Sequence, residues 1–215
     1  MTDPMTSADF YAWDGVRDWR VLWGGAYAGA CFRTVSFWDG AALVQAIGRL
    51  AIAAGHYPDI DLRPRSVTVR LSTPDADGLT ERDVDLARQI SAAARDLQAV
   101  PDPAAVQHVQ VAIDALDIGK VRAFWHAVLG YDEVGADDLL DPERLGPTFW
   151  FQQMDAPRHQ RNRIHLDVYV PPDQVHARIA AALAAGGRIV SDADAPEYWT
   201  LADPEGSEVD LAIWG

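Results

Sequence analysis

The stretch Gly55–Ala87, GHYPDIDLRPRSVTVRLSTPDADGLTERDVDLA, decides the reading of the first half of the chain. It opens on His56, set between a glycine and a Tyr-Pro turn. Val67, Val69 and Leu71 then alternate with Ser66, Thr68, Arg70 and Ser72, the period-two pattern of a strand with one buried face. Gly78-Leu79-Thr80 leads into a helix. Thr80 is its capping residue and Asp83, three positions on, completes the reciprocal pair that satisfies the first free backbone N–H groups. Leu86, Ala87, Ile90, Ala94 and Leu97 follow at helical spacing and predict the buried face.

Upstream, Leu43, Val44, Ile47, Leu50, Ala51 and Ala54 form one helical stripe over residues 41–54, closed by Gly55. Two strands precede it, WRVLWG from Trp19 and ACFRTVSF from Ala30, with Gly24-Gly25 as the turn between them. A first helix is expected over residues 7–14, with Ser7 as cap and Phe10, Tyr11 and Trp13 as its apolar face. Downstream, AVPDPAAV (Ala99–Val106) carries Pro101 and Pro103, cannot continue a helix, and predicts the domain boundary.

Bulk properties agree with two domains. The chain has 215 residues, 49% of them hydrophobic, enough for two cores of about 100 residues each. Eighteen basic against 32 acidic residues leave a net charge of −14, and Lys120 is the only lysine. Such a surface repels nucleic acid and anionic membranes, so neither is expected as a partner. The single cysteine, Cys31, lies in the apolar run AYAGACF and reads as a buried thiol of a protein in a reducing compartment. No basic-then-apolar leader opens the sequence, and no apolar run approaches the ~18 residues of a membrane helix. A cytoplasmic location is expected.

Beyond the boundary one pattern occurs twice. HVQVAI leads to a helix over 118–129 ended by Gly130 and to strands finishing in TFWFQQM. RIHLDVYV leads to a helix over 173–185 ended by Gly186-Gly187 and to strands finishing in SEVDLAIW. Each helix follows an aspartate, Asp117 or Asp173, read as its cap. The repeat predicts two βαβββ modules. Strand alternation sets Gln110 opposite in phase to Val109, Val111 and Ile113, His165 and Asp167 opposite to Leu166 and Val168, and Asp210 opposite to Val209 and Leu211. His126 and His176, on helices, read as surface residues, and His159 sits in the basic loop APRHQRNR.

The segment GHYPD, the strand ending in Thr73 and the following GLT resemble the signature of the pterin-4a-carbinolamine dehydratases over about residues 5–98. In that signature a His-His-Pro-Asp/Glu turn leads to a strand ending Thr-His and then Gly-Leu-Thr. The resemblance implies removal of water from a 4a-hydroxytetrahydropterin, with histidines as acid and base. Here it places His56 at the first histidine, Tyr57 at the second, and Pro74, after Thr73, at the third. Tyr57 donates a hydrogen bond but is a poor base, with a reference pKa of about 10. Asp59 and Asp61 are near enough in sequence to orient His56, or they form a solvated acidic turn.

The stretches LDIGKVRAFWHAVLGY and LADPEGSEVDL resemble the glyoxalase-like domains of the vicinal-oxygen-chelate superfamily over about residues 105–215. That resemblance implies a cup whose inner wall can hold a divalent metal. It aligns Gln110, Gln152 or Gln153, His165 and Asp210 with the ligand positions, with His108 in reserve. Neutral amides are weak ligands beside imidazole and carboxylate. The expectation is therefore a ligand pocket of Gln110, Trp150, Gln152, His165 and Asp210 with no metal or other cofactor. A divalent site is the alternative.

The whole predicts an α+β chain: an antiparallel sheet covered by helices over 1–99, then paired βαβββ modules forming a cup over 105–215. A dehydratase-like activity through His56, Tyr57 and Asp59 is expected, on a pterin or a related small molecule, with a homodimer as the assembly. Non-catalytic binding of an aromatic heterocycle and metal-dependent chemistry in the cup remain the alternatives.

Overall fold

An antiparallel sheet organises the first half of the computed structural model, which describes residues 4–76, 78–157 and 165–213. Its strands are β1 (Arg20–Leu22), β2 (Tyr27–Arg33), β3 (Asp59–Arg63) and β4 (Ser66–Leu71), in the order β1-β2-β4-β3, with β5 (Val100–Pro101) also on β2. Three helices accompany it: α1 (Ser7–Tyr11), α2 (Phe37–Ala54) and α3 (Glu81–Asp96). Alternation in β2 and β4 turns Ala28, Ala30, Phe32, Val67, Val69 and Leu71 to one face, where they are buried with Leu43 and Ile47 of α2 and Leu86, Ala87 and Ile90 of α3. Each large aliphatic so buried contributes about 1.5–3 kcal/mol of transfer free energy, which is what holds the helices to the sheet.

The helix starts differ from expectation for one reason, the capping box. Thr6, not Ser7, caps α1 by accepting from the Asp9 N–H; the helix ends at Tyr11 and buries Phe10, while Tyr11 and Trp13 stay exposed. Ser36 and Asp39 form the same box at α2, which therefore begins at Phe37, ahead of the apolar stripe. Phe37 and Trp38 point outward, so periodicity alone misses that first turn. Leu97 lies just past α3 and is partly exposed. The expected acidic turn after His56 is strand β3, paired along its length with β4.

Ala99–Val106 folds back onto the first unit instead of hanging free. β5 pairs with Phe32 and Arg33 of β2, Asp102 N–H donates to the Cys31 carbonyl at 2.7 Å, and Arg33 pairs with the Asp102 carboxylate at 2.9 Å. Gly29 leaves room for this segment, since a Cβ on it would lie 2.9 Å from a Val106 methyl and one of the two would have to shift. The chain accordingly divides into units Met1–His108 and Val109–Gly215.

The second unit repeats one topology. β6 (Gln110–Ala115), α4 (Ile118–Leu129), β7 (Asp132–Val134), β8 (Asp138–Leu140) and β9 (Thr148–Gln153) form the first module. β10 (Leu166–Tyr169), α5 (Val175–Ala184), β11 (Arg188–Ser191), β12 (Tyr198–Ala202) and β13 (Glu208–Ala212) form the second. The sheets run β6-β9-β8-β7 and β10-β13-β12-β11, so in each the first strand lies parallel to the last. Asp117 caps α4 by accepting from the Lys120 N–H, and Gly130 ends it in the left-handed region at φ 68°. Asp173 does not cap α5, which starts two residues later behind Gln174.

Phe124, Trp125, Phe149, Phe151, Ile179, Leu201 and Leu211 share one core between the modules. Polar ties reinforce it. The LADPEG turn supplies most of them: buried Asp203 accepts from the N–H groups of Glu205, Gly206 and Ser207 and from the Trp125 indole. Glu205 in turn accepts from the Leu116 and Asp117 N–H groups. Among the described residues, no helix is long and apolar enough to cross a membrane.

Candidate functional site

Gly55 ends α2 with φ 59°, a conformation that lets the chain turn at once and brings the His56 N–H back to the Ala51 carbonyl at 3.1 Å. The turn sends the His56 side chain inward, where 6% of it is exposed. Its Nε2 lies 2.7 Å from Asp83 Oδ1, and Asp83 is wholly buried. The other oxygen of Asp83 accepts from Thr73 Oγ1 at 2.7 Å, the Thr80 N–H at 2.8 Å and Thr80 Oγ1 at 3.1 Å. A buried carboxylate without such donors would be expensive, and here every contact is a donor.

This arrangement sets the chemistry of His56. With Nε2–H donated to Asp83, Nδ1 is the nitrogen with the free lone pair, the logic by which a carboxylate selects an imidazole tautomer. Among the described residues nothing hydrogen-bonds to Nδ1. The corner thus presents one base, oriented and electrostatically supported from behind.

The other residues singled out around His56 fall elsewhere. Tyr57 is 72% exposed and its hydroxyl has no protein partner among the described residues. Pro74 opens the short 3-10 turn Pro74–Ala76 on the surface. Asp59 stands in register with Arg70 across the sheet and lies 3.8 Å from its guanidinium, while Asp61 pairs with Arg63. Neither touches His56; its carboxylate is Asp83. As half of a capping box Asp83 has a complete structural role in the sequence. That box engages one carboxylate oxygen, Oδ2, and leaves the second, Oδ1, for His56.

In the second unit Gln110 donates from Nε2 to Asp138 Oδ1 at 3.0 Å. Burial and the neighbouring Asp137 push the Asp138 carboxyl above its ordinary range, with Arg122 opposing them. Trp150 is partly exposed and stands in register with Ala112 on one side and Asp138 on the other. Gln152 is exposed beside Asp114, whereas Gln153 spends its amide on the carbonyls of Ala115, Leu116 and Met154.

The second module gathers His165, Asp167 and Asp210. His165 Nε2 lies 3.4 Å from Asp167 and 3.9 Å from Asp210, and Asp210 also accepts from the Thr200 hydroxyl at 2.6 Å. Their three ligand atoms fall within 4.8 Å of one another. As a donor set this is one imidazole and two carboxylates from a single sheet. Among the described residues neither Gln110 nor Gln152 hydrogen-bonds to this group. Among the described residues no further His, Cys, Asp or Glu joins this group, where a closed divalent site uses four strong donors.

The remaining histidines are accounted for by packing or lie outside the described residues. His108 belongs to the first unit: it stacks on Trp23 and its Nδ1 is 3.1 Å from the Tyr27 hydroxyl. His126 Nδ1 meets the Tyr131 carbonyl and His176 packs edge-on to Trp199. His159 lies outside the described residues.

Comparison with known proteins returns two families. A family model described as pterin 4 alpha carbinolamine dehydratase matches residues 8–93, and one described as a glyoxalase-like domain matches residues 110–212. A putative pterin-4-alpha-carbinolamine dehydratase of Nocardia farcinica is 57% identical over 60 residues, 28% of this chain and 63% of that protein. One of Mycolicibacterium smegmatis is 43% identical over 67 residues, 30% of this chain and 71% of that protein. The match thus spans only 63% of the length of the Nocardia protein and of the similar Roseiflexus ones. A glyoxalase-related enzyme from Fulvimarina pelagi aligns with a TM-score of 0.42 at 18% identity, over 50% of this chain and 88% of its own.

Proposed function

We propose, because this chain belongs to the pterin-4-alpha-carbinolamine dehydratase family and carries a glyoxalase-like domain behind its first unit, that the His56 corner dehydrates a 4a-hydroxytetrahydropterin. The observation that carries the proposal is the His56–Asp83 pair, a buried carboxylate behind an imidazole whose second nitrogen is unclaimed. Dehydration breaks the bond from C4a to the hydroxyl oxygen and removes the proton from the adjacent ring nitrogen, leaving the quinonoid dihydropterin and water. His56 Nδ1 takes the nitrogen proton. The departing hydroxyl is protonated by the Tyr57 hydroxyl or by water, since Tyr57 is the next residue and open to solvent. Asp83 stabilises the imidazolium that results. Asp59 contributes only to the acidity of the surrounding strand.

One general base contributes about 10²–10⁴ in rate, so a site with one histidine is a slower enzyme than one with three. The reaction requires proton transfer alone, and no cofactor is called for. The test is formation of quinonoid dihydropterin by the purified full chain; a rate equal to that in buffer refutes the proposal.

For the second unit we propose a binding role. Trp150, open on the face that also carries Gln110 and Gln152, suits stacking of a small aromatic or heterocyclic ligand. The chain is proposed to act as a homodimer in the cytoplasm. Support for the dimer comes from Val35, Phe37 and Trp38, three neighbouring apolar side chains exposed at the start of α2. Support for the compartment comes from the unpaired, buried Cys31.

A further inference from the structure

Ala112 of β6, Trp150 of β9 and Asp138 of β8 stand in one row across the first module's sheet, each the register partner of the next. Register partners leave a sheet on the same side, so all three face away from the core that holds Phe149 and Phe151. Ala112 is exposed and ends at a methyl, which leaves space beside the Trp150 indole. We infer that a neutral planar heterocycle with a lactam edge, of the kind found in oxopurines, binds there, stacked on Trp150 over Ala112 and read by the Gln152 amide. The inference rests on the binding role proposed above for the second unit and adds the chemical class of its ligand.

Strand spacing makes the slot fit a ring. Neighbouring strands lie about 4.8 Å apart, so a ring standing over Ala112 meets the indole within the about 4.5–7 Å centroid separation of stacked aromatics. Trp150 is 36% exposed, so one part of the indole is held by the protein and another is open to a ligand.

Amides border the indole along the strand. Gln152 follows Trp150 by two positions on the same face, is exposed, and makes no hydrogen bond among the described residues. On the other side Gln110 reaches across β9 to donate one N–H to Asp138, keeping its oxygen and its second N–H. A side-chain amide presents one donor and one acceptor in a plane. Its complement is a ring carbonyl beside a ring N–H, a two-bond match like the one by which glutamine reads the edge of a base.

The surrounding charges select a neutral ring. Asp114 and Asp138 flank the slot and repel a carboxylate or phosphate, while the nearby Arg122 is held by Glu133 and the Gly135 carbonyl. An ammonium group finds both carboxylates engaged, Asp138 by Gln110 and Asp114 by a partner of its own. The amides and the indole are what the slot offers a ligand.

The probes are hypoxanthine, which carries the lactam, and 1-methylhypoxanthine, in which a methyl replaces the lactam hydrogen. Titration calorimetry on the full chain is expected to show hypoxanthine binding about tenfold tighter, the effect of about one net hydrogen bond. Gln152→Leu, a change at an exposed position, brings the ratio close to one, and Trp150→Leu weakens both purines. Urate, a purine that is an anion at neutral pH, binds more weakly than hypoxanthine. A ratio that survives Gln152→Leu, or urate binding as tight as hypoxanthine, overturns the inference. Equal affinities that fall together in Trp150→Leu overturn the lactam class and leave the stacking role standing. No binding of either purine, or binding indifferent to Trp150→Leu, overturns both.

Discussion

His56 Nε2 and Asp83 Oδ1 stand 2.7 Å apart, joining the end of α2 to the first turn of α3 across 27 positions of sequence. The pair is a structural clasp and, in the proposed function, the oriented base. Its two roles predict separable consequences.

Asp83→Asn keeps the shape of the side chain but turns an amide N–H₂ toward donors on Thr73, Thr80 or His56. Unsatisfied buried donors and the lost charge-assisted bonds predict a loss of about 2–4 kcal/mol in the stability of the first unit. Urea unfolding of the full chain checks this, and a loss under about 1 kcal/mol contradicts it.

Tyr57→His combined with Pro74→His restores imidazoles at two exposed positions. The fold should tolerate both. Since each acid or base contributes about 10²–10⁴ when well placed, the double variant is expected to dehydrate at least about tenfold faster than the wild type. An unchanged rate under saturating substrate counts against the assignment of this corner as the site.

Asp138 predicts a pH signature in the second unit. Its carboxyl is pushed up in the folded state, chiefly by burial. The folded protein therefore holds that proton more tightly than the unfolded chain does. The stabilising contribution is full below the ordinary aspartate value of about 3.9 and is lost as pH rises through the raised value. Asp138→Asn still offers an oxygen to Gln110 and never ionises. It should melt a few degrees higher than the wild type near pH 7, with the difference closing toward pH 3. Equal melting curves at both pH values contradict this.

Trp38 is 84% exposed beside Phe37 and Val35, an apolar patch that a monomer leaves in water. Sedimentation equilibrium is expected to show a dimer for the wild type and a monomer for Trp38→Glu. A wild-type monomer, or a dimer indifferent to this substitution, removes the homodimer from the account.

Much of this architecture is legible in the residues alone. Period-two alternation at Val67, Val69 and Leu71 and the helical stripe from Leu43 to Ala51 mark elements because both patterns report burial directly. Elements whose exposed side chains carry no period are harder. Asp59–Arg63 reads as an acidic turn because β3 has no fully buried residue, and the first turn of α2 is hidden by outward-facing Phe37 and Trp38.

Long-range pairing is the least legible. Asp59 lies close to His56 in sequence yet faces Arg70 on the neighbouring strand, while Asp83 reaches His56 only because α3 packs on α2. Ala99–Val106 looks like a linker from its prolines. Its membership of the first unit depends on backbone pairing to β2, which proline content does not disclose.

The most direct test compares wild type with His56→Ala and His56→Gln for conversion of a 4a-hydroxytetrahydropterin to the quinonoid dihydropterin, above the rate in buffer. The account predicts a measurable acceleration by the wild type that both variants lose, with His56→Gln retaining the folded first unit through an amide donor to Asp83. Acceleration that survives in the folded His56→Gln protein, or none in the wild type, contradicts it.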